Sequence, residues 1–241
     1  MKTATILTRP ENDVEIWDKW NSTYRQGRLD EPSKVRLHAI GAMMTKLGVK
    51  DAKIFEAGCG TGWLANRLSD FGQVSACDIG NEILVVAQQA YPQIKFMSGD
   101  VQSLDLPIDH FDVVVTSEVL SHVPDQAAFI HRLAQLLKRG GYLVLTTQNK
   151  TVFERTANVA PPDGWIRQWL TMGGLKRLLQ NDFAIKYATT LEPEGHMGFL
   201  RLVNSRRLND YLNTIVGAPR VKRLKEQAGF GQSLFVVAAK R

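Results

Sequence analysis

The chain has 241 residues, of which 44% are hydrophobic and 22% charged, the balance of an ordinary globular protein and not of a collagen-like, coiled-coil or disordered chain. Its net charge of +6 is uneven: residues 196–241 carry +7 and residues 1–195 carry −1. The body is therefore not a basic nucleic-acid binder, and the C-terminal segment is either a solvated basic helix or a surface for something acidic, such as a phosphate, a carboxylate, RNA or a membrane. Hydrophobic runs are short and broken by charge, so no segment reads as a bilayer span. The first residues lack a signal peptide's apolar stretch. Two cysteines, Cys59 and Cys77, make no disulfide framework. A reduced, cytoplasmic protein is the expectation.

In chain order, Asp30-Glu31-Pro32 reads as a turn with Ser33 as helix cap. Val35, Leu37, Ile40, Met43, Met44 and Leu47 then recur at helical spacing up to Gly48. From Lys53 the chain alternates. Residues 53–57 read as a strand, 63–71 as a helix, 74–78 as a strand, 81–91 as a helix stopped at Pro92, and 94–97 as a strand. Phe111 to Ser117 is a nearly continuous β-branched run, the signature of a strand buried on both faces. Residues 125–138 read as a helix ended by Gly140-Gly141, and 142–147 as a strand. Such alternation means a doubly wound α/β sheet. Beyond Thr147 the rhythm breaks at Pro161-Pro162-Asp163-Gly164. A helix (171–180), a strand (183–190), a basic helical stretch from Glu194 to Gly229 and a final strand (232–239) complete the chain.

Chemistry is concentrated in Glu56-Ala57-Gly58-Cys59-Gly60-Thr61-Gly62, where a strand feeds a glycine-rich turn and then a helix. Glycines let backbone approach a ligand closely and adopt positive φ. The spacing is not the dinucleotide fingerprint, whose third glycine would fall at Trp63. Asp78 ends the second strand, where a carboxylate can accept from two ribose hydroxyls. Asp100 follows the third strand, where it can accept from an adenine amino group while Val101 offers its amide.

These segments, from about Lys53 to Thr147, resemble the class I S-adenosylmethionine-dependent methyltransferases, with the closest flavour in the small-molecule branch that includes ubiquinone-pathway O-methyltransferases. Glu56 to Gly62 is similar to the family's first motif, Asp78 and Asp100 stand at its ribose and adenine acids, and Glu118-Val119-Leu120-Ser121-His122-Val123 and Leu137 to Leu143 resemble later family segments. The resemblance implies a mostly parallel seven-stranded Rossmann-like sheet with the last strand antiparallel and helical lid insertions. It divides one domain into an N-terminal helical cap (1–52), a cofactor core (53–147) and a lid segment with the remaining strands and basic insertion (148–241). It implies S-adenosylmethionine as cofactor, held by Glu56, Gly58, Cys59, Gly60, Gly62, Asp78, Ile79, Asp100, Val101, Ser117 and Glu118. Glu56 has the alternative of bracing the loop amides, and Glu118 that of a helix-start acid.

Methyl transfer needs proximity, orientation and dryness, with a general base where the acceptor is a hydroxyl or protonated amine. His122 is the candidate base, with a purely bracing role as the alternative. Trp20, Tyr24, Arg25, Trp165, Trp169, His196 and Arg201 are the candidate substrate-binding residues, an aromatic lid suiting a flat acceptor and the arginines an anionic one. No metal cluster is visible. Ser117-Glu118-Val119-Leu120 lacks the Asn/Asp-Pro-Pro-aromatic run of nucleobase-amine enzymes, and neither cysteine lies where a C5-cytosine nucleophile would. The expected reaction is transfer to an oxygen of a small molecule. N-methylation of a heterocycle or amine is the alternative, and an RNA methyltransferase or a non-catalytic cofactor-binding scaffold ranks lower. DNA is not an expected partner; oligomerisation is left open.

Overall fold

The computed structural model describes residues 13–24, 29–156 and 165–241, apart from the side chains of Asp13, Ser22 and Tyr24. Two helices, α1 (Asp13–Tyr24) and α2 (Glu31–Lys46), precede the sheet. Then follow β1 (Ala52–Ala57), α3 (Trp63–Leu68), β2 (Gly72–Asp78), α4 (Asn81–Ala90), β3 (Lys95–Ser98), β4 (Phe111–Ser117), α5 (Gln126–Leu136) and β5 (Leu137–Gln148). The remainder is α6 (Lys150–Phe153), α7 (Met172–Leu179), β6 (Phe183–Pro193), α8 (Phe199–Val203), α9 (Arg206–Val216), α10 (Ala218–Gln227) and β7 (Gly231–Lys240).

The seven strands form one sheet in the order β3-β2-β1-β4-β5-β7-β6. β7 is antiparallel to both of its neighbours, and the pairs among β1 to β5 are parallel. This is the seven-stranded doubly wound architecture the sequence leads one to expect. The order reverses between β1 and β4, so β1 runs between β2 and β4 and a crevice opens at their C-terminal ends, where open α/β sheets bind ligands. Two apolar layers cover the sheet. Phe55, Leu133, Leu143 and Val236 belong to one, and Ile40, Ile54, Leu64 and Phe235 to the other. β4 buries Val113, Val114, Val115 and Thr116 in full, as its β-branched composition implies.

Three local expectations are corrected. Asp30, not Ser33, caps α2: its carboxylate accepts from Ser33 N at 2.8 Å, because the helix starts three residues earlier, at Glu31, with Pro32 in its first turn. The helix expected to reach Lys138 stops at Leu136. Leu137 pairs with Phe111 and Lys138 Nζ reaches Asp112 at 2.5 Å, so these residues are drawn into the sheet before Gly140-Gly141. The basic stretch is three helices rather than one, broken at Asn204-Ser205, where Ser205 caps α9, and at Gly217 (φ 84°).

α1 is fixed over the crevice by a cap supplied from outside the capped helix. Asp18 accepts from Asn81 N (3.2 Å) and Ile83 N (3.4 Å), the open first-turn amides of α4. A carboxylate there satisfies orphan donors and complements the helix dipole.

Candidate active site

The glycine loop folds back on β2. Gly58 N and Cys59 N both donate to Cys77 O, at 2.8 and 3.0 Å. Gly60 N donates to Asp78 Oδ2 (2.8 Å) and Gly80 N to Asp78 Oδ1 (3.0 Å). Gly58 is in the left-handed region (φ 80°), and a Cβ on it would drive into the Val119 side chain. Glycine is required there for both reasons. Glu118, next to Val119, itself holds a positive φ of 62° at the end of β4, a strained conformation for a non-glycine residue that is typical of functional turns.

These strand ends floor a cavity of about 370 Å³. Glu56, Asp78, Asp100, Glu118 and His122 line it from the sheet side. Trp17, Trp20 and Asn21 of α1 and Arg36 of α2 line it from above, and Trp165, Arg167 and Trp169 from the segment after α6. Gly58, Cys59, Gly60, Ile79, Val101 and Ser117 complete the expected set that converges there.

Three other expected residues do not join it. Gly62 caps α3 with φ 78°, and a Cβ on it would come within 2.8 Å of Phe96, so its role is packing of the turn rather than the cavity wall. His196 and Arg201 are exposed and outside the cavity lining, because Leu200 is the residue of α8 that turns inward. Arg25 lies outside the described residues, as does the side chain of Tyr24.

The acids are electrostatically loaded. Burial, and then the nearby Asp78 carboxylate, push the Glu56 carboxyl well above its usual range. Its Oε2 is buried with no hydrogen-bond partner. Burial also raises Asp78, while the amides of Gly80 and Gly60 pull it back. Both cysteine thiols are pushed up by burial and by Asp78, so they stay protonated and act as small apolar side chains.

His122 is held in one tautomer. Its Nδ1 lies 3.0 Å from Ile166 O, an atom that can only accept, so Nδ1 carries the hydrogen. Nε2 is left as an acceptor and receives a long contact, 3.4 Å, from the Gln148 amide nitrogen, whose Oε1 in turn accepts from Ser121 Oγ. Burial lowers its pKa to about 4, so the ring is neutral at physiological pH. Trp17 meets His122 edge-on at 4.8 Å between centroids and Trp165 at 4.8 Å, so α1 and the post-α6 segment close on each other above the histidine. Arg167 lies over Trp165 and Trp169, at 5.8 and 5.9 Å from their centroids.

Arg36 and Gln148 are cavity residues the sequence reading missed. Arg36 is 6% exposed, donates to Ser33 Oγ (2.9 Å), and has an unpartnered buried Nε 4.0 Å from Glu118 Oε1, which also lacks a hydrogen bond. The signal lay in α2's pattern: Ser33, Arg36, Ile40 and Met43 share a face at helical spacing, so a cation stands on the buried stripe. Among the described residues no group of three His, Cys, Asp or Glu could hold a metal ion.

Residues 55–145 match a family described as a methyltransferase domain. A ubiquinone biosynthesis O-methyltransferase of Xanthomonas oryzae pv. oryzae is 34% identical over 138 residues, covering 55% of this chain and 56% of the relative. A protein of the same name from Xanthomonas axonopodis pv. citri is similar to the same extent. The chain thus spans little more than half the length of the curated relatives it matches. Among solved structures, an S-adenosylmethionine dependent methyltransferase from Mesorhizobium loti aligns with a TM-score of 0.60 at 22% identity, covering 84% of this chain and 96% of that one. The cyclase SpnF aligns with a TM-score of 0.67 at 17% identity, covering 98% and 97%. At such identities these neighbours share the fold, and a cyclase among them illustrates that the fold alone does not set the reaction.

Proposed function

We propose, on the premise that residues 55–145 are a methyltransferase domain, that the protein transfers the methyl group of S-adenosylmethionine to an oxygen of a small-molecule acceptor. The observation that carries this reading is the convergence of acids from three strand ends, Glu56, Asp78 and Asp100, on one cavity that also holds His122. The relatives named as ubiquinone biosynthesis O-methyltransferases support the oxygen acceptor.

The residues fit the cofactor. Glu56 Oε2 is a buried oxygen without a partner, suited to an ammonium group. Arg36 offers a carboxylate a buried Nε that makes no hydrogen bond. Asp78 keeps lone pairs beyond those used by Gly60 and Gly80 and suits ribose hydroxyls. Asp100 and the Val101 amide suit an adenine edge, and the bare backbone of Gly58 and Gly60 admits close approach. When bound, S-adenosylmethionine supplies a methyl group already activated on a sulfonium.

The chain's own residues then position and dry the site. Trp17 and Trp165 meet above His122 and exclude water. Trp20, Trp165 and Trp169 provide flat apolar walls for a planar acceptor. His122, oriented by Ile166 O, presents Nε2 to an acceptor hydroxyl in place of the Gln148 amide. With a pKa near 4 it takes the proton late, once the attacking oxygen has become strongly acidic by bonding carbon. The division into a helical cap (1–52), cofactor core (53–147) and lid segment (148–241) belongs to this proposal, as does a cytoplasmic setting suited to free Cys59 and Cys77. Among the described residues no helix is long and apolar enough to cross a membrane.

A second reading, transfer to an amine, is favoured by Glu118 Oε1, which is buried without a hydrogen bond and could turn from Arg36, 4.0 Å away, to a cationic acceptor. Labelled cofactor with a panel of phenols, carboxylic acids, amines and RNA decides between them. Label on an oxygen supports the proposal, and label only on nitrogen, or only in RNA, replaces it.

A further inference from the structure

The three helices inserted between β6 and β7 include one that leaves much of its apolar face in solvent. α9 has an amphipathic sequence yet buries none of its residues. Leu208, Tyr211 and Ile215, at i, i+3 and i+7, are 42%, 64% and 60% exposed. Asn209 and Asn213 are half-buried, and Asn209 Oδ1 is buried without a hydrogen-bond partner. Leu212 and Val216 share this half-buried side, so the helix docks part of its apolar face on its own protein and leaves Leu208, Tyr211 and Ile215 without cover. Exposed Arg207 borders the apolar stripe, about 40° from Tyr211 on the helical wheel. α10 packs against α9 and adds exposed Arg220 and Arg223. Neither these two nor Arg207 has a carboxylate within ion-pair distance among the described residues. The whole positive excess of the chain lies from residue 196 onward.

We propose that α9, with the arginines of α10 beside it, docks on an anionic lipid surface, its axis in the plane of the interface. Leu208 and Ile215 enter the acyl boundary, Tyr211 sits at headgroup level, and the arginines meet lipid phosphates. Charge and apolarity together select this occupant. A second copy of the chain, docked face to face, would bring two segments of +7 together. A nucleic acid would satisfy the arginines and leave three large apolar side chains in water. An anionic bilayer satisfies both.

The test is sedimentation of the full chain with vesicles of equal parts phosphatidylglycerol and phosphatidylcholine, and with phosphatidylcholine alone, at low salt. Binding to the anionic vesicles, at least tenfold weaker on the neutral ones and falling with added salt, is expected. At about fivefold per basic residue, Arg220→Glu with Arg223→Glu loses at least 25-fold. Leu208→Ser with Ile215→Ser loses at least about tenfold. Circular dichroism and melting temperature, unchanged because all four side chains are exposed, separate this loss from unfolding. Absence of binding to anionic vesicles overturns the proposal, as does undiminished binding by the serine pair. RNA retention that depends on the arginines, with vesicle binding indifferent to the serine pair, assigns the face to nucleic acid instead. A dimer abolished by the serine pair, without vesicle binding, assigns it to a second copy.

Discussion

Gly58→Ala probes whether the glycine loop is shaped by the turn behind it. Two costs add. An alanine at φ 80° sits in the left-handed region, which costs roughly 1–2 kcal/mol. Its Cβ also overlaps Val119 Cγ2, and overpacking of this kind costs about 1–3 kcal/mol. The single variant should therefore lose about 2–5 kcal/mol in chemical denaturation. Val119→Ala alone removes two half-buried methyl groups, for about 1–2 kcal/mol. In the double variant the γ-carbons are gone, and the nearest remaining atom of residue 119 is Cβ, at a tolerable 3.3 Å. The steric part is then relieved and the backbone part stays. The double-mutant cycle should show a favourable coupling of about 1–3 kcal/mol, with Gly58→Ala keeping its φ penalty in the Val119→Ala background. Strict additivity, within about 0.5 kcal/mol, would refute the packing argument.

Three further outcomes follow from the site and its frame. His122 titrates near 4 in the folded protein against about 6.5 unfolded, so the unfolded chain takes the proton first as pH falls. Stability should drop by about 3 kcal/mol between pH 6.5 and 4, and the difference between wild-type and His122→Gln stability curves isolates that loss; parallel curves contradict it. The Glu56 carboxyl is raised, so the wild type loses stability as pH climbs from the usual carboxylate range toward the raised value. Glu56→Gln should therefore melt higher at neutral pH, by the equivalent of about 1 kcal/mol or more, while binding S-adenosylhomocysteine at least about tenfold more weakly in calorimetry; a lower melting point contradicts the account. Asn149 is 2% exposed and ties three segments together, donating to Gly229 O (3.0 Å) and Gly231 O (2.7 Å) and accepting from Thr151 N (3.1 Å). Asn149→Ala should cost about 3 kcal/mol in denaturation, and a loss below 1 kcal/mol would show that water replaces these bonds.

What the sequence disclosed depended on whether the determinant was local. Strands β1, β2 and β4 carry their own signals, in β-branched runs and in the glycine turn that must follow β1, and the acids at their ends therefore fell where expected. Arg36 was hidden because a helical stripe is ordinarily taken from its apolar members. Val35 and Leu37 drew attention although each is only half-buried, whereas the face that packs inward contains Ser33 and Arg36. Gln148 was illegible because its meaning arises from the end of β5 meeting Ser121 and His122 in the turn after β4, which no spacing encodes. The exchange of Ser33 for Asp30 as cap, and the early end of α5, are boundary shifts decided by one proline and by a lysine reaching Asp112. Arg201 suits an anionic acceptor by residue type alone, yet Leu200 is the residue of α8 that turns inward.

The central claim is that this cavity holds S-adenosylmethionine through the strand-end acids, and calorimetry with Asp78→Ala tests it most directly. Wild-type protein titrated with S-adenosylmethionine and S-adenosylhomocysteine should bind both at micromolar concentration, and Asp78→Ala, folded by circular dichroism, should lose at least about a hundredfold, since both a hydroxyl-binding carboxylate and the anchor of Gly60 and Gly80 are removed. Wild-type protein that binds neither compound at millimolar concentration, or an Asp78→Ala variant that binds them as tightly as the parent, would contradict it.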